Sequence, residues 1–166
     1  MSIRIGTEEG RGEMEQQHRV NNLVSRLVQG TTWEMLDAAE ELGCVGEAAI
    51  LAVAPLLGSS HREMRWRGAI ALERIGPPAV EALMVAALDG NTTTRAPAIW
   101  ALERIGDRRA VPTLMENLRS ENECCRWMAA AALSTIGGDE ERAIVEATFA
   151  DDPAGRGIVD ELIHGS

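Results

Sequence analysis

The sequence predicts an all-α protein, an α-solenoid of about five two-helix units, and three observations carry that prediction. The first is composition. The chain has 166 residues, 45% of them apolar, yet its only aromatic residues are four Trp and Phe149. An aromatic-poor, Ala-rich core suits closely packed helices better than a β-sandwich, whose strands favour aromatic and β-branched residues. The second is a repeat. Residues 71–76 read ALERIG and residues 101–106 read ALERIG again, while 132–137 read ALSTIG and 38–43 read AAEELG. The third is register. Eleven positions before Gly76, Gly106 and Gly137 stand Arg65, Arg95 and Arg126, and Arg156 continues the series thirty residues on. A fixed period of this kind marks units that cannot bury their apolar faces alone and therefore stack.

Taken in order, residues 1–19 are polar and are expected to form a flexible tail ahead of one repeat domain, 20–166. The expected units are 20–43, 47–76, 78–106, 109–137 and 140–164. Unit one is short and has Thr32 where the ladder Arg should stand, as expected of a cap. The second helix of each unit should end at its Gly, a good C-cap residue. It should begin fifteen positions earlier at Asn91, Asn122 and Asp152, the last followed by Pro153 at the first helical position. The first helices are short and apolar-periodic: Val80, Leu83, Met84 and Ala87, then Val111, Leu114, Met115 and Leu118. Turn residues separate them, at Gly106-Asp107 and Gly137-Gly138-Asp139.

On a helical wheel the positions one, four, five and eight before the terminal Gly form one face, held in unit two by Ile75, Leu72, Ala71 and Gly68. That is the expected core face. Trp33, Trp66 and Trp127 occupy position ten of their units and Trp100 occupies position six, all on the opposite side. At the ~10 Å spacing of packed helices they would make a stripe ~30 Å long. Arg67, Ile70, Arg74, Arg104 and Met128 share that side, with Arg62, Glu73 and Glu103 beside it. Trp and Arg are enriched at binding hot spots, and each Arg can pair with a partner carboxylate. The ladder residues Arg65, Arg95, Arg126 and Arg156 are read as structural. They are expected to hold neighbouring units through hydrogen bonds to turn acids or carbonyls, with Asp107 and Asp139 as caps or partners.

Charge and chemistry exclude several function classes. The net charge is −10 and the pI about 4.8, which argues against a nucleic-acid partner. Residues 20–60 carry −4, residues 61–137 carry +1 and residues 138–166 carry −6, so the middle is Arg-bearing and the ends are acidic. Cys44, Cys124 and Cys125 are too few and wrongly spaced for a disulfide framework or a metal pair. The polar start is no signal peptide, and no run approaches the ~20 apolar residues of a membrane helix. The expectation is a soluble protein of a reducing cytoplasm with no membrane partner. His18, His61 and His164 are scattered and no phosphate-binding Gly loop occurs. The reading leans against an enzyme, with no catalytic residue, no metal ligand and no cofactor assigned.

Arg95, Ala98, Ala101-Leu102, Ile105-Gly106-Asp107 and Ala110-Val111-Pro112 together resemble short bacterial HEAT repeats, of the type named after phycobilisome lyases. The resemblance spans roughly residues 20–164. It implies a right-handed, armadillo-like α–α superhelix in which the second helices line a concave, ligand-binding surface. The Trp stripe would then lie in the groove. The function expected is a non-catalytic scaffold that holds another protein or peptide there. The alternative implied by the family is a chaperone-like or lyase-type accessory protein, whose Trp would stack on a tetrapyrrole and whose Arg would pair with its propionates. A homodimer closed by the Trp row is the remaining option.

Overall fold

A computed structural model describes residues 8–165, and among the described residues it contains helices and turns and no strand. Helix α1 (Glu8–Gln29) packs along α2 (Thr32–Val45). A short α3 (Ile50–Val53) lies between two 3-10 turns, Gly46–Ala49 and Ala54–Gly58. Then come α4 (Arg62–Ile75), α5 (Val80–Ala87), α6 (Thr92–Ile105), α7 (Val111–Asn117), α8 (Glu123–Ile136), α9 (Asp139–Thr148) and α10 (Pro153–His164). Each of α2, α4, α6, α8 and α10 packs on the next. Helices α5 and α7 pack on α6 and α8 respectively, and on each other.

Local chemistry explains the ends of these helices. The N-caps lie where the sequence places them. Asn91 Oδ1 accepts from the Thr93 N–H at 3.0 Å, Asn122 Oδ1 from the Cys125 N–H at 3.0 Å, and Asp152 Oδ1 from the Gly155 N–H at 2.9 Å. Such caps stabilise a helix by about 1 kcal/mol each. Helices α4 and α6 stop at Gly76 and Gly106, whose φ values of 79° and 72° suit a residue without Cβ. In the core, Leu72, Leu102 and Leu133 are fully buried, one per unit. Each contributes roughly 1.5–3 kcal/mol by leaving water. Small neighbours, such as Ala71, Ala101 and Ala132, let the second helices approach.

Three expectations change. The polar start is not a tail over its whole length: from Glu8 it is helical, and the same helix buries Val20, Leu23 and Leu27. Residues 1–7 of that expected tail lie outside the described residues. Unit one does not stop at Gly43. Helix α2 runs on to Val45 and is capped by Gly46 at φ 72°. Gly43 has another role, since a Cβ there would lie 2.7 Å from the Arg74 carbonyl oxygen, so α2 and α4 meet at that point. Finally, the stretch Thr32–Gly58 is long and apolar enough to cross a membrane by length and composition, which a count of consecutive apolar residues does not register. In the fold it is not one straight helix. Gly46 ends α2, and Pro55, which lacks an N–H, sits in the second 3-10 turn, Ala54–Gly58, beyond α3.

Candidate functional site

The candidate site lies where α4, α6, α8 and α10 pack on one another. On α4 the residues Gly68, Ala71, Leu72 and Ile75 are buried, as the wheel requires, and the opposite side of that helix presents Trp66 and Ile70. Trp66 and Trp100 meet across the α4–α6 seam with ring centroids 5.8 Å apart and planes at 72°, an edge-to-face pair. Such pairs add about 0.5–1.5 kcal/mol beyond the area they bury. Two wells flank them. One, of about 330 Å³, is formed by Arg62, Trp66, Thr93, Ala96, Asn122 and Cys124. The other, of about 590 Å³, is formed by Trp100, Glu103, Arg104, Met128, Thr135 and Leu162.

The four Trp are not alike. Trp33 is 80% exposed, on a shallow surface with Leu36, Asp37 and Glu40. Trp66, Trp100 and Trp127 are half-buried, and Trp100, Trp127, Ile70 and Met128 pack against the edge of the core. The expected row of outward rings is therefore corrected to one outward ring, Trp33, and three half-buried ones, of which Trp66 and Trp100 meet across two helices. The physical reason is size: an indole on a helix closely packed against its neighbours cannot project wholly into solvent. Trp127 Nε1 is buried without a hydrogen-bond partner among the described residues. The Cys124 thiol lies 3.8 Å from the Met128 sulfur. Cys125 is buried, which pushes its thiol up from the ordinary range, with the neighbouring Cys124 adding to that.

The Arg residues also separate. Arg67, expected in the groove as a partner contact, is corrected to a structural role. Its Nη1 donates to the carbonyls of Leu27, Val28 and Gly30 at 2.8, 3.1 and 3.0 Å, and its Nε donates to Glu63 at 3.1 Å. It closes the C-terminal end of α1, where the last carbonyls lack helical donors. Arg74 pairs with Glu40 at 3.5 Å and with Glu73 at 3.6 Å. Arg104 is exposed on the rim of the wider well. Glu103 is half-buried beside it, and burial raises its carboxyl above the ordinary range, against a smaller lowering by Arg104 and by a Thr135 hydrogen bond.

Among the described residues the ladder residues Arg65, Arg95 and Arg126 bond turn carbonyls, one of the two expected kinds of partner, but those of their own unit and not of a neighbour. Arg65 Nη1 donates to Ser59 O at 2.8 Å, Arg126 Nη1 to Ser120 O at 2.9 Å, and Arg95 Nε to Asp89 O. Each ties down the carbonyl six residues earlier, in the turn that leads into its own helix. An arginine in the first turn of a helix reaches back most easily to the loop just before it. Arg156 makes no such bond among the described residues and lines a cavity of about 200 Å³ with Phe149 and Val159. Asp107 is no ladder partner either. It caps the Arg109 N–H at 2.9 Å and pairs with the Arg109 side chain at 2.7 Å, which holds its carboxyl below the usual range. Asp139 pairs with Arg142 at 3.3 Å.

Besides Arg67 and Arg74, which reach α1 and α2, two residues not singled out from the sequence link successive helix pairs. Arg109 Nη2 donates to Pro77 O at 2.9 Å, and the buried Asn117 Nδ2 donates to Ala87 O at 2.8 Å. Neither stood out in the sequence: Asn117 lies between the apolar-periodic positions Met115 and Leu118, and Arg109 in a turn. Among the described residues no group of His, Cys, Asp and Glu could hold a metal ion.

Residues 80–157, from α5 into the start of α10, match a family model described as HEAT repeats. HEAT repeats generally mediate protein–protein interaction. No curated protein matches the chain.

Proposed function

We propose that the chain is a right-handed solenoid of five two-helix units of the short, lyase-type HEAT pattern, and that it is a non-catalytic scaffold. It holds a segment of another protein in the groove of its second helices, with Trp66, Trp100, Trp127, Ile70 and Met128 as apolar contacts and Arg104 and Arg74 at the polar rim. The unbroken succession of packed second helices from α2 to α10 supports the solenoid. The matched repeats over residues 80–157 support a protein partner. Three free cysteines fit a reducing cytoplasm.

The observation that carries the reading is the Trp66–Trp100 pair seated between two open wells. Half-buried aromatics beside unfilled space are preset to anchor a partner at low ordering cost. The test compares wild type with Trp66→Ala and Trp100→Ala in capture of proteins from extract of the source cells, with circular dichroism confirming helicity. Retention of the captured partner should fall about thirtyfold or more for each variant, the loss of a hot-spot anchor. Undiminished capture by both variants would overturn the groove.

A further inference from the structure

We propose that the wider well is a seat for a basic side chain, an arginine or lysine carried on an apolar segment of the partner; this rests on the groove reading above. The seat is formed by Trp100 and Glu103, three residues apart on α6 and therefore on one face of it, and both open on the well. An indole ring attracts a cation, and a carboxylate accepts paired hydrogen bonds from a guanidinium. Met128 and Leu162 supply apolar wall for the aliphatic stem of such a side chain.

The disposition of charge selects a cation over an anion. Arg67 is tied to three carbonyls, and Arg74 is shared between Glu40 and Glu73. Glu103 has no ion pair among the described residues, although it is half-buried and its ionised form is disfavoured by that burial. A cation in the well restores what burial took from this carboxylate. An anion on Arg104 gains far less, because that guanidinium is exposed and already solvated. The wider field agrees. The chain carries −10, residues 138–166 carry −6, and Asp160 and Glu161 lie on α10, the helix that closes the well. Such a field steers a basic partner towards this end of the groove.

The test uses two labelled, amidated helical peptides with the same Leu–Ala pattern, one bearing arginine and the other glutamate at the polar positions. Binding to the full chain is read by fluorescence anisotropy, for wild type, Glu103→Gln and Glu13→Gln. The last variant makes the same charge change on α1. The arginine peptide should bind and the glutamate peptide should not. Glu103→Gln should weaken binding about tenfold and Glu13→Gln hardly at all. The proposal is overturned if Glu103→Gln binds like wild type, if both single-charge variants lose equally, or if the arginine peptide does not bind. Partner capture that still depends on Trp66 and Trp100 would then leave the groove standing without its seat. Capture indifferent to both Trp would remove the groove itself.

Discussion

The segment ALERIG occurs at residues 71–76 and again at 101–106, and the two copies live in different surroundings. Leu72 and Leu102 are fully buried alike. Beyond that they diverge. Arg74 is drawn to Glu40 of α2 and to Glu73, whereas Arg104 is exposed beside a half-buried Glu103. The glycines diverge too. Gly76 sits at φ 79°, ψ −142° and Gly106 at φ 72°, ψ 18°. Pro77 follows Gly76 and disfavours a helical ψ there, while Asp107 follows Gly106 and caps the next turn. The repeated sequence sets the helix and its core contact. The neighbouring unit decides what chemistry the same residues offer.

The first way to break this comparison is in the core. Leu72→Ala and Leu102→Ala should each destabilise by about 2–5 kcal/mol in urea unfolding, and by similar amounts. A large inequality would mean the two copies do not share one core role. Next comes Arg67→Ala, which strips three carbonyls of their donor. A loss of about 2 kcal/mol is expected, together with faster hydrogen exchange in the last turn of α1. Arg104→Ala should change stability hardly at all.

The glycines sharpen the contrast. Gly106→Ala should cost about 1–2 kcal/mol, the penalty of a Cβ in the left-handed region. Gly76→Ala should cost more, because its ψ lies near a region that is almost closed to other residues. Equal melting-temperature losses would contradict the assigned backbone difference.

The smallest effect concerns Glu103. Burial raises its folded-state pKa above the unfolded value, so the folded chain holds that proton more tightly. Its carboxylate therefore costs stability. The cost is absent below the unfolded pKa, grows as pH rises through the raised folded value, and is complete above it. Glu103→Gln should gain less than about 0.5 kcal/mol at neutral pH, and nothing near pH ~3. Glu73→Gln, which loses its partner Arg74, should show no such gain.

Much of this fold was legible from residue chemistry. Asn91, Asn122 and Asp152 announce helix starts because their short side chains satisfy free N–H groups, and Gly76 and Gly106 announce stops. The extent of α1 was hidden, since a polar helix beginning at Glu8 shows no apolar stripe over its first turns. For the candidate site, the wheel separates Trp66 and Ile70 from the buried face, but a single helix carries no record of what stands beside it. Hence the lodging of Trp127 and the capture of Arg67 by the end of α1, forty residues away, were not readable. Arg109 reaches Pro77 by the same kind of distant geometry.

The most direct test of the central claim is hydroxyl-radical footprinting of the chain with and without its captured partner. Trp66, Trp100 and Met128 report on the groove, and Met84 and Met115 report on the first helices α5 and α7. The groove account predicts that the partner protects the first three and leaves the last two as reactive as before. Protection of Met84 and Met115 with Trp66, Trp100 and Met128 unchanged would place the partner on the other face and contradict it.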